Sequence, residues 1–254
     1  MRVRGPITLL MLAVLGTAGC AGHPAAAPTA AAEPVVGDDC PDLVDGGTQV
    51  QFTDAHGGKL VGVVFGKGST GVVLSHMSDG DVCAWMPYAR ILANSGYQTI
   101  VFYFDGFGSS QGASGSNLPG DIVAAAGYLR GHGAKTIALV GASMGAAASV
   151  DAATQLKPAP AVVVSLSAPK AYQSADAIDA AKQLTVPVLY AAGVGDGEFA
   201  DDAQALYDAT PATTNRTVLI APSSSHGIGL VGAPGSQVRD AMDNALKQQA
   251  PAQG

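Results

Sequence analysis

The chain has 254 residues, 48% of them hydrophobic and 13% charged, with 33 glycines. That composition describes a globular body rather than a disordered chain, and the length suits one sizeable domain and is short for two. Thirteen basic residues against 20 acidic ones give a net charge of −7, which argues against nucleic acid as a partner, because phosphate contacts require clustered Lys and Arg.

At the N-terminus Arg2 and Arg4 precede an apolar stretch from Ile7 to Leu15 and then Gly16-Thr17-Ala18-Gly19-Cys20. This is the layout of a secretory signal peptide, with an apolar run shorter than the ~20 residues needed to span a hydrocarbon core. Cys20, directly after Ala18-Gly19, resembles the lipobox cysteine of bacterial lipoproteins, which is lipidated and becomes the first residue of the mature protein. Thr17 stands where that pattern usually carries an aliphatic residue. Residues 1–19 are therefore expected to be a signal peptide. Cys20 is expected to carry a lipid that anchors the exported protein to the membrane of the cell envelope, with plain cleavage and release as the alternative. Residues 20–39 read as an Ala/Pro-rich tether that buries too little apolar surface to repay the entropy of ordering, with His23 solvated inside it. The folded domain is expected over residues 40–254. Loss of Arg2 and Arg4 with the signal would leave 11 basic residues against 20 acidic ones.

With Cys20 assigned to the lipid, Cys40 and Cys83 remain, an even pair in an oxidising compartment. A disulfide between them is expected, two unpaired buried thiols being the alternative. No Cys or His partner sits at metal-ligand spacing, so neither metal nor cofactor is anticipated.

Further along, short β-branched runs alternate with Ala-rich helical stretches. Gln49 to Thr53 and Leu60 to Phe65, separated by Ala55-His56-Gly57-Gly58, predict an antiparallel hairpin. Val72 to Ser75, Thr99 to Phe104, Ile137 to Val140, Val162 to Leu166, Val188 to Ala192 and Val218 to Ile220 predict six more strands. Helices are predicted over 84–94, 119–130, 144–156, 175–183, 200–208 and 236–248. This order implies an α/β fold: an eight-stranded, mostly parallel, doubly wound sheet with helices on both faces.

Within that frame Gly141-Ala142-Ser143-Met144-Gly145 falls between the apolar strand IALV and the helical run AAASVDAATQL. A serine at so sharp a strand-to-helix turn is held in a strained conformation with its hydroxyl pushed out at the carboxyl end of the sheet. Glycines two before and two after it avoid Cβ clashes. The helix N-terminus favours a developing negative charge beside it. A small-residue strand-helix turn would look the same, and what lowers that reading is the rest of the chain. After VPVLYAA comes Gly193-Val194-Gly195-Asp196-Gly197-Glu198, and after RTVLIA comes Ser223-Ser224-Ser225-His226-Gly227. Loops at the carboxyl ends of neighbouring strands converge on one edge of such a sheet, so Ser143, Asp196 and His226 can meet there.

GASMG, GVGD and SHG resemble the nucleophile, acid and histidine motifs of the α/β-hydrolase superfamily, above all its small esterase and dienelactone-hydrolase-like members. The resemblance covers roughly residues 50–248. Leu74-Ser75-His76-Met77-Ser78, with Trp85 and ILANSGYQTIVFYF after it, is similar to the family's HG oxyanion loop, with Met77 in place of the usual glycine. Residues 104–112 resemble the family's D-x-R-G-x-G-x-S-x-G turn, with Tyr103 where the Asp would stand and Asp105 where the Arg would stand. The resemblance implies a serine hydrolase with Ser143 as nucleophile, His226 as base and Asp196 as its orienting acid. The N–H groups of Met144 and of Met77 or Ser78 would form the oxyanion hole.

Glu198, Asp201 and Asp202 are the competing acids, the last two suited to the first turn of a helix. His56 and His132 read as solvated turn residues and His76 as a structural histidine under the oxyanion loop. Trp85 and Tyr172 are candidates to wall the pocket or simply to fill the core. Only about 20 residues, PKAYQSADAIDAAKQLTVPV, separate the run Val162 to Leu166 from the run Val188 to Ala192, so no sizeable cap is expected. An uncovered site suits a small-molecule acyl substrate, most economically a carboxylic ester, with a thioester or amide as nearer alternatives. A non-catalytic envelope lipoprotein that binds a ligand on the same scaffold is the alternative from another class, and a monomer is expected.

Overall fold

The computed structural model describes Met1, residues 36–110, residue 112 and residues 117–253. The expected signal peptide beyond Met1, Cys20 and most of the expected tether lie outside the described residues. Eight strands form one sheet: β1 (Thr48–Thr53), β2 (Lys59–Phe65), β3 (Thr70–Ser75), β4 (Gln98–Phe102), β5 (Thr136–Ala142), β6 (Val162–Leu166), β7 (Val188–Gly193) and β8 (Arg216–Ala221). Their order is β1-β2-β4-β3-β5-β6-β7-β8. β1 and β2 pair antiparallel, as do β2 and β4, and every pairing from β4 through β3 to β8 is parallel.

The parallel strands read as continuous apolar runs because both faces are covered. Alternate residues divide between two cores: Val73, Ile100, Leu139 and Val163 point to one, Val72, Val101, Val140 and Val164 to the other. The first core is closed by α2 (Leu118–Gly131), α3 (Met144–Gln155), α4 (Ala177–Ala181) and α5 (Phe199–Ala209), the second by α1 (Met86–Asn94) and α6 (Gln237–Gln249). The alanines of α3, among them Ala146, Ala147, Ala148 and Ala152, are fully buried, so small side chains let this helix lie close to the sheet beneath the serine turn. Among the described residues no helix is long and apolar enough to cross a membrane.

Caps explain several boundaries. The Asn117 side chain accepts from Gly120 N–H (3.2 Å), that of Asp176 from Asp179 N–H (3.0 Å) and that of Ser236 from Arg239 N–H (3.1 Å). The Asp176 cap also shortens the fourth predicted helix, since Ala175 is taken into a bridge with Tyr172 and the helix occupies only Ala177–Ala181. The strand predicted to reach residue 104 stops at Phe102. Phe104 N–H leaves the sheet to donate to His76 Nε2 at 3.2 Å. In the opening hairpin Asp54 Oδ1 accepts from His56 N–H (2.8 Å) and Gly58 N–H (2.7 Å), and Gly57 takes φ +88°.

Before residue 40, a 3-10 turn at Val36–Asp38 buries Val36 completely, and Tyr103 donates its phenolic O–H to Asp39 Oδ2 at 2.6 Å. Burial, reinforced by that carboxylate, pushes the Tyr103 phenol well above its ordinary range. Cys40 and Cys83 are disulfide-bonded, with Cα atoms 5.6 Å apart. The bridge ties this N-terminal segment to the start of the turn that leads into α1, and closing a loop of this size is worth about 4 kcal/mol in the chain-entropy model.

The Asp105 turn behind β4 differs from the arginine-bearing pattern it resembles. Ser110 Oγ accepts from Val61 N–H (2.9 Å) and donates to Tyr103 O (2.8 Å), binding the turn to β2. Asp105 N–H donates to Asp121 Oδ2 at 2.9 Å. Burial, with the Asp54 and Asp105 carboxylates nearby, raises Asp121 from the usual carboxylate range to about 7.

Candidate active site

The turn between β5 and α3 carries Ser143 at φ 51° and ψ −118°, a left-handed conformation that a serine takes only when its surroundings impose it. Close packing does so here. A Cβ on Gly141 would lie 2.2 Å from Gly145 O, and one on Gly145 would lie 2.5 Å from both Ser75 O and His76 O. The two glycines thus let α3 start directly against the end of β3. Ser143 N–H donates to Leu166 O at 2.8 Å, locking the turn to β6.

The loops after β7 and β8 are zipped together by backbone hydrogen bonds. Val194 N–H donates to Ala221 O (2.8 Å) and Gly195 N–H to Ser223 O (2.9 Å), and a Cβ on Gly193 would sit 2.4 Å from Ser223 O. This brings Asp196, only 8% exposed, to His226, whose Nδ1 lies 3.0 Å from Asp196 Oδ1 and 3.1 Å from Oδ2. A carboxylate only accepts, so Nδ1 carries a proton, and in the neutral ring the lone pair then lies on Nε2. The imidazole packs on Phe199, ring centroids 4.4 Å apart, and the His226 side chain is 35% exposed.

Gly227, at φ +51°, marks the meeting point of three loops: a Cβ there would lie 2.6 Å from Met77 Sδ and 3.2 Å from Ala142 Cβ. The residue after His226 therefore touches both the residue before Ser143 and the loop after β3. Among the described residues no hydrogen bond joins Ser143 Oγ to the imidazole, a contact that in hydrolytic sites often tightens only when substrate is bound.

The loop after β3 is held from below by His76, which is fully buried. Its Nδ1–H donates to Met77 O at 2.6 Å while Nε2 accepts from Phe104 N–H. Burial lowers this histidine from 6.5 to about 4, so it stays neutral. Gly80 N–H also donates to Met77 O (3.1 Å). Among the described residues the N–H groups of Met77, Ser78 and Met144 have no intramolecular acceptor, so all three of the anticipated oxyanion donors are free to bind one.

No family model and no curated protein matches the chain. Solved structures do. An esterase of Pyrococcus furiosus aligns over 82% of this chain and 95% of its own at 17% identity, with a TM-score of 0.72. A dienelactone hydrolase from Anabaena variabilis aligns over 78% and 94% at 18% identity (TM-score 0.61), and an enol-lactonase from Burkholderia xenovorans over 78% and 100% at 15% identity (TM-score 0.64). The chain has the α/β-hydrolase fold.

Among the described residues no other candidate acid is hydrogen-bonded to the His226 ring. Glu198 is exposed ahead of α5, and Asp202 is engaged by Lys170 Nζ at 2.7 Å. His56 is exposed in the β1–β2 turn, and His132, also exposed, sits against Tyr128 O at 2.8 Å. Trp85 does not wall a pocket: it is completely buried, and its Nε1–H donates to Ser75 O at 3.0 Å, bracing the end of β3. Tyr172 packs half-buried on the first core. Among the described residues no group of three His, Cys, Asp or Glu side chains is placed to hold a metal ion. One site residue escapes a motif-based reading altogether. Ser167, just past β6, donates its hydroxyl to Asp196 Oδ2 (2.6 Å) and accepts from Gly227 N–H (2.9 Å). The only signal in the sequence is a serine at the carboxyl end of a parallel strand, which singles out nothing.

Proposed function

We propose that the protein is a serine hydrolase that cleaves carboxylic esters through an acyl-enzyme. The observation that carries this reading is the Asp196–His226 hydrogen bond at the same carboxyl edge of the sheet as Ser143, which is held at φ 51° and whose preceding residue, Ala142, packs against the glycine after His226. His226 Nε2 takes the Ser143 hydroxyl proton as Oγ attacks the carbonyl carbon, and the π electrons of the C=O move onto its oxygen. The N–H groups of Met144 and Met77 stabilise that oxyanion, each contributing on the order of 3 kcal/mol to the transition state. The imidazolium, held by Asp196, then protonates the departing alkoxide and leaves Ser143 acylated. Water, deprotonated by the same nitrogen, reverses the sequence to release the acid.

The names of the structural neighbours, an esterase, a dienelactone hydrolase and an enol-lactonase, favour esters or lactones over thioesters and amides. The 21 residues between β6 and β7 hold only the short helix α4, which leaves the edge of the sheet open to a small acyl substrate. The test is a fluorophosphonate probe, which reacts with an activated serine. Labelling of the wild type and none of Ser143→Ala is expected. An unlabelled wild type would favour a binding lipoprotein instead.

The place of action is proposed from the signal-type N-terminus and Cys20: the cell envelope, on a lipid anchor. Metabolic labelling with a fatty acid should tag the protein, and Cys20→Ala should abolish the tag. A fully soluble, untagged wild type would refute the anchor.

A further inference from the structure

The geometry points to Ser167 as a positioning residue that holds the acid and the histidine loop in register with the nucleophile, an inference that rests on the proposed ester hydrolysis. Ser167 joins all three loops. Its neighbour Leu166 accepts Ser143 N–H through the backbone carbonyl (2.8 Å), its own N–H donates to Ala191 O (2.7 Å), and its hydroxyl reaches the other two loops. That hydroxyl has one proton and accepting lone pairs. Gly227 N–H donates to its oxygen, so the proton is left for Asp196 Oδ2 at 2.6 Å. The side chain is completely buried, and no water competes for either bond.

One carboxylate oxygen is thereby clamped while both oxygens face His226 Nδ1, which fixes the carboxylate plane and, through it, the imidazole. The bond to Gly227 N–H holds the backbone directly after His226. Losing the hydroxyl would leave the buried Gly227 N–H without this acceptor and would strip the shorter of two donors from a charged oxygen, leaving it only His226 Nδ1 at 3.1 Å. Bonds to charged groups are the stronger kind of hydrogen bond. The conformation of Ser167 gives a second indication. It takes φ 51°, the left-handed region where serine is disfavoured and glycine is not. If the position served only to turn the chain, glycine would suit it better.

That contrast supplies the test. Ser167→Ala and Ser167→Gly are compared with wild type and Ser143→Ala on a p-nitrophenyl acyl ester, with rates normalised to soluble, folded protein. Both Ser167 variants are expected to lose about 10- to 100-fold in kcat with KM changed less than twofold, because the acyl-binding surface is untouched while the base is no longer aimed. Glycine, which takes this backbone without strain, should not restore the rate. It also serves as the second variant should alanine fold poorly. Wild-type kcat in Ser167→Gly, with Ser143→Ala inactive, would overturn the positioning role and leave the ester-hydrolase reading standing. A wild type that neither turns over ester nor takes a fluorophosphonate label would overturn that reading and this inference with it.

Discussion

Ser143→Ala and His226→Ala should each lower acyl-ester turnover by on the order of 10⁴-fold while leaving the fold intact. The size of the effect follows from the unity of the pair: without the base the hydroxyl is too weak a nucleophile, and without the hydroxyl the base has no proton to take. The integrity of the fold follows from the local structure. Alanine at 143 keeps the Cβ and the backbone N–H that donates to Leu166 O, and the clash-avoiding glycines at 141 and 145 are unchanged. The His226 side chain is 35% exposed and rests on Phe199, so its removal opens no sealed cavity. Steady-state rates with matched circular dichroism measure both halves of the expectation. If either variant kept more than a tenth of the wild-type rate, the assignment would be wrong.

Asp196→Asn should cost nearly as much, about 10⁴-fold in kcat, for a reason specific to this site. The carboxylate accepts from two sides, His226 Nδ1–H and the Ser167 hydroxyl. An asparagine can accept with only one face of its amide. The Ser167 oxygen already receives Gly227 N–H, and its own proton needs an acceptor. The amide oxygen is therefore drawn to Ser167, and the amide NH2 turns to the imidazole. The imidazole must then accept at Nδ1 and carry its proton on Nε2, where it cannot deprotonate Ser143. Glu198→Gln, at an exposed carboxylate outside this network, should change kcat by less than tenfold. The reverse ranking would move the acid to Glu198.

These expectations draw unequally on sequence and structure. The strand runs, the helical stretches and the order of the Ser143, Asp196 and His226 loops were legible because they depend on local chemistry. Val162 to Leu166 is a strand because five consecutive apolar or small residues are buried on both faces of a parallel sheet. GASMG is readable because the steric demand of the turn falls on glycines at fixed offsets from the serine. Its local character also made the Ser143 and His226 loops recognisable without knowing what they touch. Boundaries set by side-chain partners were less legible. The fourth strand ends at Phe102 because a buried histidine 28 residues earlier takes the N–H of Phe104, and Val36, four residues before the expected start of the domain, is buried in the second core.

By itself the sequence determined the class of fold, the order of its elements, the strand-to-helix turn at Ser143 and a short list of candidate acids, since each of these is written in residue type and spacing. Only the tertiary structure decided among alternatives that spacing leaves equal. It placed β4 between β2 and β3, brought Cys40 within 5.6 Å of Cys83, bonded Asp196 to the His226 imidazole while Glu198 stays exposed, and turned Trp85 from a possible pocket wall into a buried brace. It also introduced Ser167. The physical reason is the same in each case. A hydrogen bond or a disulfide depends on distances of a few ångströms between residues tens of positions apart, and those distances exist only after the sheet has stacked its strands and drawn their carboxyl-end loops to one edge.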